Sequence, residues 1–214
     1  MAAARDQMID AAERLAAERG LAAMSLREVQ AAAGQRNKSA AQYHFGSKEG
    51  LVEAVVAARM GAVGARRQEL LDALDDRPTR RALVEALVVP LAEHVLAGPG
   101  HWARFLLQAS NDPAFATVVR RTFEGASFRQ VHAGLMATLD HLPEPIRARR
   151  VDHLMALVVA SLAALEAGVR PDGRPALPPA VQVADLVDMA VGVLDAPASV
   201  ATTAALTDRP ARRA

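Results

Sequence analysis

No stretch of this 214-residue chain leaves its backbone fewer choices than residues 25–51, SLREVQAAAGQRNKSAAQYHFGSKEGL. Ser25 followed three residues later by Glu28 forms a capping box, so a helix is expected to start at Leu26. Gly34 ends it, because a residue without Cβ takes the left-handed conformation favoured after a helix C-terminus. Asn37 is then the expected N-cap of a second short helix, on which Ala41 and Phe45 share one inward face. Lys38, Ser39, Gln42 and Tyr43 project from the other side, on a helix too short and polar to stand alone. Ser47 caps a third helix at once, and its free amides beside Lys48 suit a phosphate.

Two helices joined by a tight turn, the second carrying cationic and amide groups outward, is the arrangement that lays a recognition helix in a DNA major groove. Residues 36–48 hold three Lys or Arg and no acid. Gln42 can pair with adenine and a lysine with guanine, while hydroxyl and tyrosine groups near helix ends suit phosphates. On spacing alone, a plain helical hairpin inside an all-α core explains the same pattern.

The motifs narrow this further. An amphipathic first helix in MIDAAERLAAERG, a capped second helix ending in Ala-Ala-Gly, and QYHFGSKEGL follow one another in order. Together they resemble the N-terminal DNA-binding domain of the TetR family of transcriptional regulators. The resemblance implies an all-α fold of about nine helices: an N-terminal three-helix helix-turn-helix domain over residues 1–51, and a larger helical ligand-binding and dimerisation domain over 52–195. It makes Ser25, Arg27, Arg36, Asn37, Lys38, Ser39, Gln42, Tyr43, His44 and Lys48 the candidate DNA-binding residues. One departure stands out: the family's usual spacing from the glycine to the phenylalanine is a residue shorter than Gly34 to Phe45. Anchored on Phe45, the family's tyrosine position falls on Gln42 and displaces Tyr43 by one, so either of the two is a candidate base contact.

Composition agrees with a helical class. Hydrophobic residues make up 51% and aromatics 3% of the chain, which favours helices over strands. A net charge of +1 means that DNA binding needs a local patch rather than global attraction. The absence of cysteine excludes disulfides and thiolate metal sites, and the six histidines show no metal-ligand spacing, so no cofactor is expected. No phosphate loop or nucleophile elbow supports an enzyme. The N-terminus lacks the apolar run of a signal peptide, and the longest apolar stretch, 154–165, is too short to span a bilayer, so a soluble cytoplasmic protein is expected.

Beyond the helix capped by Ser47, which should run to about residue 74, helices are expected over 79–96, 101–110, 113–142 (one helix, with Gly125 as a point where it can divide), 146–167 and 180–194, with a turn-rich loop at 168–179 and a loosely held tail over 196–214. Trp102, Phe105, Gln108, Phe123, Phe128, Met136 and Met155 are candidates to line a cavity for a hydrophobic small molecule, although plain core packing is the better account of any one of them. The last two long helices carry more apolar surface than one chain needs, which makes Leu154, Leu162, Leu165, Val183, Leu186 and Leu194 candidates for a two-fold dimer seam. The family resemblance implies a homodimeric repressor released from its operator by a small molecule. A constitutive DNA-binding dimer and a helical-bundle enzyme are the alternatives.

Overall fold

The computed structural model describes residues 2–37, 39–168 and 177–207. Among them are eleven α-helices and no strand. Three short N-terminal helices, α1 (Ala2–Arg19), α2 (Leu26–Ala32) and α3 (Ala40–Phe45), are followed by the long α4 (Lys48–Asp72). Then come α5 (Arg80–Leu96), α6 (Trp102–Asn111), α7 (Ala116–Phe123), α8 (Ala126–Thr138), α9 (Glu144–Ala167), α10 (Pro179–Asp195) and α11 (Val200–Thr207). Two differences raise the count from nine. The helix expected over 113–142 breaks between Phe123 and Ala126, and part of the expected tail is helical. The break falls at Gly125, whose extended backbone restarts the chain as the N-cap of α8. Residues 169–176 of the expected loop and 208–214 of the tail lie outside the described residues.

Local chemistry sets the N-terminal boundaries as expected. The Ser25 hydroxyl accepts from the Glu28 amide at 3.2 Å, and the Glu28 carboxylate accepts from the Ser25 amide at 3.1 Å. These two bonds also hold the Glu28 carboxyl below its ordinary pKa. Gly34 takes a φ of +66°, and the Gln35 amide reaches back to the Gln30 carbonyl, closing α2 in a Schellman turn. Ser47 caps α4 by accepting from the Gly50 amide at 3.0 Å. Helix α3 starts later than Asn37 predicts, because the Asn37 side chain accepts from the Ser39 amide at 3.0 Å and makes its own turn.

Burial then joins these helices to the rest. Met8, Ile9, Met24, Val29, Ala41, Phe45 and Val52 form the core beneath α1–α3, and this core continues without a gap into the packing of α5, α6, α9 and α10. A boundary near Leu51 therefore falls inside α4, a rod about 37 Å long that belongs to both halves. α6 packs on both α9 and α1, and α10 on α5 and α9. No single described helix is long and apolar enough to cross a membrane; α10 and α11 meet that test only as a pair bent by 58°.

Candidate nucleic-acid interface and regulatory cavity

The outward face of α3 is open and polar. Tyr43 is 74% exposed, and its ring meets only His44, edge-on at 5.3 Å. Gln42 is exposed too, but its amide donates to the Gly46 carbonyl at 2.6 Å and so is folded onto the end of its own helix. Arg27, Arg36, Asn37 and Ser39 are likewise exposed, Ser25 serves its capping box, and His44 is half-buried. Lys38 lies outside the described residues. Lys48 points elsewhere: its ammonium donates to the Leu21 carbonyl at 2.5 Å and sits 5.5 Å from the centroid of the Phe115 ring. An amine held between the 3₁₀ turn Leu21–Ala23 and the N-terminus of α7 ties the two halves together.

A second tie lies beside it. The Gln108 amide on α6 donates to the Ala16 carbonyl at 2.7 Å, and its oxygen accepts from the Leu21 amide at 3.1 Å. Gln108 thereby supplies both kinds of hydrogen bond to the end of α1 and the turn after it. Nearby, Arg59 on α4 reaches Glu13 at 2.9 Å and Asp10 at 2.6 Å on α1. Burial pushes the Glu13 carboxyl up in pKa despite this pair, while Glu13 raises that of Arg59. The two agree physically, since Glu13 is the more deeply buried partner and carries more of the desolvation.

Among the cavities of this scaffold, two adjoin the elements just described. One, of about 700 Å³, separates α1 from the ends of α5 and α9 and is lined by Glu13, Arg59, His94, His101, Trp102 and Glu166. The other, of about 430 Å³, lies among α6, α7, α8 and α9. Leu106, Val119, Phe123, Phe128, Met155 and Val159 give it apolar walls, and Asn111, Arg120, His132 and Asp152 add polar groups. Phe123 and Phe128 meet edge to face at 5.5 Å along its side.

The family profile described as "Bacterial regulatory proteins, tetR family" matches residues 8–55, the span from α1 through α3 into α4. Residues 8–55 thus form a domain of the tetR type. A comparison with curated protein sequences finds none that matches. Among solved structures, AmtR from Mycobacterium smegmatis is similar with a TM-score of 0.56 at 21% identity, covering 97% of this chain and 96% of that one. The likeness is one of fold and extends beyond residue 55 over the C-terminal half. The TetR-family regulator PfmR from Thermus thermophilus is also similar, at 22% identity and a TM-score of 0.49, over 86% of this chain and 97% of that one.

In the structure the seven expected pocket residues separate. Phe123, Phe128 and Met155 line the α6–α9 cavity. Gln108 is at the junction of the two halves, Phe105 is wholly core, and Met136 packs partly buried against the core. Trp102 lines the junction cavity instead, edge-on to His94 at 5.2 Å, with its indole N–H unpartnered. The expected seam residues separate too. Leu154, Leu162, Leu186 and Leu194 are buried within the single chain, and only Leu165 and Val183 are partly open. Ala160 and Ala164 on α9, with Val181 and Met189 on α10, face solvent.

Two charged residues that sequence reasoning passed over matter here. Glu166 accepts from the amides of Ala103 and Arg104 at 2.9 and 3.0 Å, capping α6 from a distant helix; no local pattern marks it. Arg67 is 1% exposed on α4, and neither its Nε nor its Nη2 has a hydrogen-bond partner. Burial pushes its pKa down to about 10, which still leaves it charged near neutral pH. Its signal was present: Val63, Arg67 and Leu71 recur every four residues on one buried face.

Burial also lowers the pKa of His94, and the nearby charge of Arg59 acts in the same direction. A base held low contributes stability that is present above its unfolded pKa and is lost as pH falls through that value. His94→Gln is therefore expected to melt closer to the wild type at about pH 5.5 than at about pH 7.5. Glu13, held high by burial, works in the opposite sense, so thermal melts of variant against wild type at each pH are the readout.

Proposed function

We propose that this chain is a ligand-responsive, DNA-binding transcriptional repressor that works in the cytoplasm as a homodimer and leaves its operator when a largely apolar small molecule enters the α6–α9 cavity. The carrying observation is the outer face of α3, where the Tyr43 side chain is exposed with no hydrogen-bond partner among the described residues, and Arg27, Arg36, Asn37 and Ser39 are exposed as well. A helix of six residues with its inner face buried and its outer face polar has the form of a major-groove reader. The cavity favours ligand control over constitutive binding, since a fully packed regulatory half would have no room for an effector. The paired side chains of the junction cavity do not converge on a substrate position, and this favours a regulator over an enzyme.

The proposed coupling follows from the ties. A ligand that prefers one arrangement of α6 and α7 shifts Gln108 and Phe115, and with them Leu21 and Lys48 at the base of the DNA-reading unit. In a dimer this moves two recognition helices out of register with successive major grooves, about 34 Å apart. Tyr43→Ala is expected to weaken binding to DNA fragments selected from the source genome by about tenfold or more. Lys48→Ala is expected to weaken it without flattening the salt dependence, because its ammonium is held by Leu21 rather than turned to a phosphate. Fluorescence anisotropy over a salt series measures both. Unchanged binding by Tyr43→Ala would place the reading surface elsewhere.

A further inference from the structure

The α6–α9 cavity has an unusual neighbour. Phe128 forms part of its wall, and the Arg67 guanidinium lies 5.9 Å from the centroid of the same ring. Arg67 has no carboxylate partner among the described residues, whereas its neighbour Arg66 holds Glu93 and Glu69 at 2.9 and 3.0 Å. Burying a permanent cation without an anion is costly, and a ring face offsets only part of that cost. The charged groups in the cavity lining itself, Arg120, Glu124 and Asp152, are all exposed and so belong to its solvent side. The deep charge next to the apolar wall is positive and uncompensated.

We propose that the effector is an apolar organic acid, whose carboxylate passes the Phe128 ring and pairs with Arg67 while its hydrocarbon part fills the α6–α9 cavity. The planar fork of a guanidinium matches a carboxylate with two parallel hydrogen bonds, and Nε and Nη2, which form one side of that fork, are both buried without a partner among the described residues. The half-buried Phe128 is the partition that must turn aside. Arg67 lies on α4, the helix whose first turn adjoins α3, so the ligand grips the element that carries the recognition helix. This assignment rests on reading the α6–α9 cavity as the effector site.

Calorimetric titration of the full-length protein with phenylbutyrate and with phenylbutanol, which differ only in the acid group, tests both readings. The wild type is expected to bind the acid at least about tenfold more tightly than the alcohol. Arg67→Met, similar in length and free of the buried charge, is expected to lose that preference while keeping its affinity for the alcohol. Equal binding of acid and alcohol by the wild type would overturn the carboxylate assignment and leave the cavity reading intact. Binding of neither would overturn both, and a persisting acid preference in Arg67→Met would remove Arg67 from the site. Phe128→Leu shortens the partition without altering the charge, and is expected to raise acid affinity several-fold. If Arg67→Met does not fold, unchanged acid affinity in Phe128→Leu overturns the proposal.

Discussion

Leu162→Asp is expected to abolish cooperative folding of the regulatory half rather than to split a folded dimer. Read from the sequence, Leu162 belongs to an apolar excess available for a partner, so a charge there would be felt only in the assembly. In the structure it is 2% exposed within one chain, in the layer where α9 packs on α6 and α10. A carboxylate placed in that apolar layer gives up its hydration, and an uncompensated buried charge costs about 3–5 kcal/mol. That is a large part of the roughly 5–15 kcal/mol by which domains of this kind are stable. Far-UV circular dichroism during heating should show a broad, early loss of helix, and DNA binding should disappear with it. A variant that melts like the wild type but sediments as a monomer would show Leu162 at an outer surface instead.

Ala164→Arg is expected to do what the sequence would assign to Leu162: leave the helices folded and separate the subunits. Ala164 and Ala160 lie one turn apart on the solvent side of α9, where small side chains permit close helix approach, and Val181 and Met189 are open on α10. A seam built on these faces would close the proposed dimer as a four-helix interface. Arginine at 164 forces a long cation into that interface while costing the isolated chain little. Once separated, each recognition helix binds one half-site without its tethered partner, and operator affinity is expected to fall by about 10²–10⁴. Sedimentation and anisotropy on the same sample check the two halves of the expectation. A dimer that persists with full affinity would move the seam to another face.

The boundaries around the DNA-reading unit were legible in the sequence because their causes act over three or four residues. The Ser25–Glu28 box, the left-handed Gly34 and the Ser47 cap each need only a donor, an acceptor or a missing Cβ at a fixed short spacing. The inward turn of Ala41 and Phe45 follows equally from helical period. Asn37 shows the limit even there, since one side-chain bond to Ser39 delays the helix start.

Hydrophobicity in a sequence reports that a side chain leaves water, not what it leaves water for. Leu154, Leu162, Leu186 and Leu194 were therefore readable as buried, while their assignment to their own chain came only with the packing of α9 and α10 on α5 and α6. The same holds for polar groups whose partners are remote in the chain. Gln108 meets Ala16 across 92 residues, Ala103 meets Glu166 across 63, and Lys48 meets Leu21 across 27. Arg67 is the extreme case, a cation on an apolar helical face that could have met an acid from any neighbouring helix and meets none among the described residues. The sequence by itself determined the helices, their caps and the outward face of α3, because those rest on local geometry. Tertiary structure alone decided which charges are paired, which apolar faces remain open and where a cavity lies, because those depend on how distant helices are brought side by side.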